Sequence, residues 1–242
     1  MNTQYDFSIG NVLEEGWGKV KGFKATAWGA VGIVVLISIL LYVLSRIAML
    51  VLFMVPKHTL QPLAKFIVQL LQYPLYAGLQ MLGVKHVLGY PVEATMVTDY
   101  YKDILRIVGV MLASAFIALI PSFIGGILIG IAANGGISGL VQAILFLASI
   151  PFILLGLYLF VGYMFSLILV LDQNMSIFGA MKTSRKAVTQ HWFKVFFTST
   201  IMIIIVAISA IPLLIGLIWT VPWAYCVMGV LYKTIFSVQE AH

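Results

Sequence analysis

From Thr26 to Val55 the chain runs for 30 residues with one charged side chain, Arg46. About 20 apolar residues cross the hydrocarbon core of a bilayer, so this run reads as a membrane span with room to tilt. Similar runs recur, and the sequence predicts six spans near 26–55, 66–88, 104–132, 142–171, 194–211 and 213–236. Helices are expected, because a helix satisfies every backbone group within its own segment. A β-barrel needs alternating segments of about 10 residues, and stretches such as Ile201 to Ala207 do not alternate. The first run is not expected to be a cleaved signal. Glu14 and Glu15 precede it, no A-x-A site closes it, and it is longer than the roughly 7–15 apolar residues of a signal peptide.

Composition supports the same class. Lys and Arg number 14, Asp and Glu 8, so 9% of the chain is charged and 62% is hydrophobic. A soluble domain carries about 25% charged residues, and disorder needs low hydrophobicity with high charge, so both are excluded. A single cysteine, Cys226, excludes an intrachain disulfide and a cysteine-based metal cluster.

The charges set an expected topology. Lys19, Lys21, Lys24, Lys85, Lys102, Arg106, Lys182, Arg185, Lys186, Lys194 and Lys233 fall on one side of the six spans, and only Arg46, Lys57 and Lys65 fall toward the other. By the positive-inside rule both termini are expected in the cytoplasm. All eight acids share that side, and the uncharged loop around Ala132 to Ser138 suits the outer face.

A threefold internal repeat is expected within one polytopic domain over 1–242, with units near 8–90, 91–174 and 175–238. A shift of 84 residues aligns Leu13, Val97 and Met181, and then Val20, Ile104 and Val188. The second span of each unit also matches: Pro74-Leu-Tyr-Ala-Gly78, Tyr158-Leu-Phe-Val-Gly162 and Pro222-Trp-Ala-Tyr-Cys226. The opening segments read as interfacial amphipathic helices. In the first, Ile9, Val12, Leu13, Trp17, Val20 and Phe23 recur at helical spacing, and Ser8 and Ser176 are placed to cap the first and third. Lys21, Lys24, Lys182, Arg185, Lys186 and Lys194 are candidate contacts for lipid headgroups. Bracing of each hairpin at the interface is the equally open reading. Between the spans of the first two units lie added outer segments, near 56–73 and 132–149, which Pro74 and Pro151 are expected to break or kink from the helices that follow.

No catalytic constellation is visible. His58, His86, His191 and His242 have no paired spacing, and the zinc motif H-E-x-x-H, the phosphate-binding G-x-x-x-x-G-K-[ST] and the nucleophile elbow G-x-S-x-G are absent. No enzyme activity, cofactor, metal or nucleic-acid partner is expected. Gly126 and Gly130 form a small-xxx-small pair suited to close helix packing, and Cys226 reads as a buried packing residue. The sharpest single feature is Arg46, since a charge at the centre of a span costs roughly 2.5–3.5 kcal/mol on insertion scales. It either snorkels to the outer interface or joins Lys65, and with them Lys57 and His58, in an outward-facing basic pocket for an anionic lipid head or organic anion.

The stretch Phe178-Gly-Ala-Met-Lys-Thr-Ser-Arg-Lys-Ala-Val-Thr-Gln-His-Trp-Phe-Lys-Val-Phe, with Trp219-Thr-Val-Pro222 beyond it, resembles the segment before the last hairpin of YciC-like bacterial inner-membrane proteins. It is also similar to the related membrane domains of some glycerophosphodiester phosphodiesterases. The resemblance implies a polytopic plasma-membrane protein built from helix-plus-hairpin units, and it carries over no catalytic residue. The expected function is non-enzymatic binding or transport of a lipid or other amphiphilic or anionic molecule, with membrane lipids as partners. The alternative is a structural or accessory membrane subunit that meets a protein partner in the membrane.

Overall fold

Each apolar run is helical in the computed structural model, which describes residues 6–51, 57–133, 136–211 and 214–238, apart from the side chains of 57–59. Every regular element among the described residues is a helix. In chain order these are α1 (Ile9–Gly18), α2 (Lys24–Val51), α3 (Lys57–Val87), a 3-10 helix (Ala94–Asp103), α4 (Ile104–Ala133), α5 (Gly139–Gly162), α6 (Ser166–Asp172), α7 (Ile177–Gln190), α8 (Trp192–Ala210) and α9 (Leu217–Phe236).

Among the described residues, four stretches are long and apolar enough to cross a membrane: Lys24–Val51, Ala94–Ala133, Gly139–Asp172 and Trp192–Ala210. They occupy the first, third, fourth and fifth predicted runs. Their surfaces are apolar outward as well as inward. Leu36, Leu50, Phe116, Phe123, Leu147 and Ile203 are all more than 60% exposed. Water would not tolerate so much continuous apolar surface, whereas lipid tails would cover it at no cost, so these helices are compatible with a membrane protein.

The chain divides into two compact units, one of Met1–Val108 with Phe196–His242 and one of Gly109–Val195. In the first, α3 and α9 meet backbone to backbone. A Cβ on Gly83 would lie 2.6 Å from the Tyr225 carbonyl oxygen, and one on Gly229 would lie 2.9 Å from that of Gly83. Cys226 is buried at this crossing as a free thiol. Helix α1 lies against α9 through Gly16, whose Cβ would sit 2.6 Å from Val227 Cγ2. Trp223 Nε1 donates to the Leu13 carbonyl at 3.0 Å, Trp17 meets Trp223 edge-on, and Glu15 pairs with Lys233. The 3-10 helix closes on α3 in the same manner, with a Gly78 Cβ 2.5 Å from the Val97 carbonyl oxygen. At the end of α3, His86 stacks on Phe23 with ring centres 4.5 Å apart. Its Nε2 lies 2.8 Å from the Lys19 carbonyl, which can only accept, so that nitrogen carries a hydrogen.

In the second unit, α6 and α7 supply the core. Phe165, Ile168, Leu169 and Val170 are fully enclosed, as are Ala180 and Val188. Ser184 Oγ donates to the Gly162 carbonyl at 2.7 Å, which ties α7 to the end of α5. Tyr158 and Thr189 hydroxyls lie 2.7 Å apart across the same two helices.

Four local expectations need correction. Helix α3 continues through Pro62 and Pro74, and α5 through Pro151, so these prolines do not divide the outer segments from the spans. A proline removes one ladder donor, which a long helix tolerates when a neighbour serves the freed carbonyl. Pro74 frees the Leu70 carbonyl, and the Tyr101 hydroxyl donates to the one after it, Leu71, at 2.9 Å, within the same disturbed turn. Secondly, the fourth predicted run is not one uninterrupted helix, because turn residues 163–165 separate α5 from α6. Thirdly, close approach of α4 and α5 falls on Gly125 and Gly156, whereas no described atom comes within 4 Å of a Cβ on Gly126 or Gly130. Lastly, Ser8 and Ser176 hold the N-cap positions without a side-chain capping bond. Their carbonyls accept from Val12 and Ala180 instead.

Candidate functional site

Arg46 and Lys65 line one groove. Helices α2 and α3 form a hairpin, and on one side of their contact a cavity of about 500 Å³ opens. Tyr42, Ser45, Arg46 and Met49 line it from α2; Gln61, Ala64, Lys65, Val68 and Gln69 line it from α3. The placement follows from helical spacing. Gln61, Lys65 and Gln69 are four residues apart and so share a face, as do Tyr42, Arg46 and Met49 at intervals of four and three. A smaller recess of about 170 Å³ extends from Arg46 between Met49, Leu50 and Gln61.

Depth follows from rise. Arg46 lies 22 residues beyond Lys24, and Lys65 lies 20 residues before Lys85. At 1.5 Å per residue these are roughly 33 Å and 30 Å, about one hydrocarbon thickness. Each helix of the hairpin therefore has two basic residues about 30 Å apart and none between. Neither α2 nor α3 contains an acid, so no carboxylate within the hairpin neutralises Arg46 or Lys65. Both side chains are exposed to the groove.

The other side of the α2–α3 contact has opposite character. A groove of about 350 Å³ is walled by Leu41, Leu44, Ala48, Leu60, Leu63 and Ile67. It shares Ser45, Met49, Ala64 and Val68 with the basic groove, so these four form the contact line between the two.

Of the predicted pocket residues, Arg46 and Lys65 are thus together, while the side chains of Lys57 and His58 lie outside the described residues. Gln69 shares the groove, but Gln72 does not; it accepts from the Tyr76 hydroxyl at 3.3 Å. Tyr42, Ser45 and Gln61 are additional polar members that the sequence had not marked. Gln61 could have been found by extending the Lys65–Gln69 spacing back one turn. Chemically the groove offers two basic side chains and several neutral hydrogen-bonding groups, which suits an anion with polar substituents. Among the described residues no three of His, Cys, Asp or Glu come together to hold a metal ion.

The candidate headgroup residues are dispersed. Lys21 is exposed in the turn after α1. Lys24 begins α2 with its ammonium 4.4 Å from the ring centre of Trp219, a cation–π contact. Lys182, Arg185 and Lys186 are exposed on α7, and Lys194 is half-buried in α8.

Among the described residues, fold and groove together describe an all-helical protein with four stretches able to cross a membrane and a basic cavity between α2 and α3. No protein-family model, no curated protein and no solved structure matches the chain.

Proposed function

We propose that this is a six-span membrane protein that binds an amphiphile with an anionic head, without chemically altering it, in the basic groove between α2 and α3. The observation that carries this reading is the placement of Arg46 and Lys65 in one acid-free cavity of about 500 Å³, within the size range of small-molecule sites. Both cations stand about one hydrocarbon thickness from the other end of their helices, which is where a lipid phosphate would lie. The apolar groove across the contact line offers acyl chains a surface on the same hairpin.

Six spans require α3 and α9 to cross as well. In support, α3 has no charged residue between Lys65 and Lys85, and α9 has none between Leu217 and Lys233. The threefold repeat is supported by a recurring contact. Gly78 of α3 meets Val97, Gly162 of α5 meets Arg185 of α7, and Val227 of α9 meets Gly16 of α1. The 84-residue shift carries Gly78 onto Gly162 and brings Gly16 and Val97 within four residues of Arg185, and Val227 adjoins Cys226, which ends the matching segment of the third unit. In each case the second span of one unit rests on the opening segment of the next, the third closing on the first. A polytopic protein of helix-plus-hairpin units is also what a YciC-like membership implies.

The test is lipid retention by the full chain. Protein purified in mild detergent and exchanged with phosphatidylglycerol or phosphatidylcholine is examined by native mass spectrometry, beside Arg46→Gln and Lys65→Gln. Wild type is expected to retain phosphatidylglycerol selectively. Each substitution should weaken retention about 10- to 100-fold, the worth of a charge-assisted hydrogen bond of roughly 1.5–3 kcal/mol. Equal retention of both lipids by all three proteins would sink the proposal. A protein that holds no lipid but co-purifies with a stoichiometric membrane partner would favour an accessory subunit.

A further inference from the structure

The three opening segments do not carry the same charge. Helix α1 contains Glu14 and Glu15 and no base, and the 3-10 helix contains Asp99 and Asp103 against Lys102. Helix α7 contains Lys182, Arg185 and Lys186 and no acid. Their formal charges are therefore −2, −1 and +3. One face of α7 is spent on the core, where Ala180, Met181, Ser184 and Val188 are buried against its own unit. The exposed side presents Phe178, Lys182 and Lys186, each four residues apart and so aligned along the helix, while Arg185 lies at its edge with its stem against Gly162 of α5.

Phe178 is the odd member of that face. It is 72% exposed, and nothing in the fold requires an aromatic ring there. A ring left in water beside three cations fits neither a solvated helix face nor a buried one. It fits a helix lying in an interface, with the ring among acyl carbons and the bases among phosphates. One turn past α7, Phe193 is 69% exposed at the start of α8, one of the four stretches able to cross a membrane, so α7 lies next to a point of membrane entry.

We propose that the Phe178–Lys182–Lys186 face of α7, with Arg185 at its edge, is a docking surface for anionic lipid, distinct from the α2–α3 groove and independent of it. The occupant is the surface of an anionic leaflet. Three unopposed cations are attracted by its negative potential, and the force falls off within a Debye length, so the contact must be close and sensitive to lipid charge.

The experiment uses the full chain in nanodiscs of phosphatidylcholine alone or with phosphatidylglycerol. An environment-sensitive fluorophore is placed through Phe178→Cys or, as a control on the acidic helix α1, Glu14→Cys. The wild-type chain, whose only cysteine is the buried Cys226, serves as the blank. In anionic discs the dye at 178 should emit to the blue and lose quenching by acrylamide, while the dye at 14 stays quenched. Adding Lys182→Gln, Arg185→Gln and Lys186→Gln should return quenching at 178, with the thermal unfolding midpoint unchanged because all three charged ends are exposed. Quenching at 178 equal to that at 14 in both discs overturns the proposal. Protection that persists in phosphatidylcholine and in the triple variant also overturns it, because the helix would then be held by apolar contact alone.

Discussion

A side chain added at position 78 would have to displace backbone. A Cβ there falls 2.5 Å from the Val97 carbonyl oxygen and 2.7 Å from Val97 Cα, and neither can rotate away. Position 126, on a helix of similar length, has open space around it. The two glycines therefore predict opposite outcomes for one substitution. Gly78→Ala should destabilise by about 1–3 kcal/mol, the usual cost of overpacking. Gly126→Ala should be neutral or stabilise by up to about 1 kcal/mol, since alanine gives up less freedom in a helix than glycine. Thermal unfolding of both variants in the same detergent would check this. A Gly78→Ala midpoint at or above wild type would mean that α3 and the 3-10 helix do not touch there. The sequence shows why such distinctions are hard to read. Gly125 and Gly126 are neighbours, yet a helix turns about 100° per residue. Spacing can suggest that a small residue meets a partner, but it cannot say which of two adjacent glycines faces it.

Proline placement teaches the same lesson for whole elements. Pro62, Pro74, Pro121, Pro151 and Pro222 all lie inside helices. At Pro74 the Tyr101 hydroxyl reaches the Leu71 carbonyl, within the turn where a proline disturbs the ladder. If that bond compensates for the proline, the two residues are coupled. Tyr101→Phe should cost about 1 kcal/mol on its own, the net worth of a hydrogen bond. In a Pro74→Ala background the cost should shrink, because without the proline ring in that turn the Leu75 N–H can close fully on the Leu71 carbonyl. A double-mutant cycle in thermal unfolding measures the difference, and strictly additive effects would remove the compensating role. The positions of the long helices were legible because apolar runs bounded by charge leave few alternatives. The continuity of α3 and α5 was not, because a proline's position alone does not say whether the helix around it closes on itself again. The candidate site was half legible. Arg46 and Lys65 stood out by their rarity, whereas the contributions of Tyr42, Ser45 and Gln61 depend on how α2 and α3 rotate against each other, which no charge count contains.

For the whole molecule, the distribution of charge constrains how the chain can thread a bilayer. Arg46, Lys57 and Lys65 lie around a single hairpin turn, while 11 of the 14 basic residues and all eight acids fall at the opposite ends of the apolar runs. Inside that larger group the ends are physically tied. Lys19 Nζ donates to the Val87 carbonyl, Lys233 pairs with Glu15, and Trp223 Nε1 donates to the Leu13 carbonyl. These contacts hold α1 and the turn after it against α9 and the end of α3. On the six-span reading proposed above, α2 and α3 go out and return, both termini share one side, and the positive-inside rule makes that side the cytoplasm. Fusing a reporter that is active only in the cytoplasm to each terminus in turn should give signal from both, and a reporter that needs an oxidising exterior should give none. A labelling cysteine at residue 136, beyond α4, should react with an impermeant thiol reagent added outside intact cells. Opposite signals from the two termini would require an odd number of spans and leave either α3 or α9 lying along the membrane, with the basic groove then facing a different side.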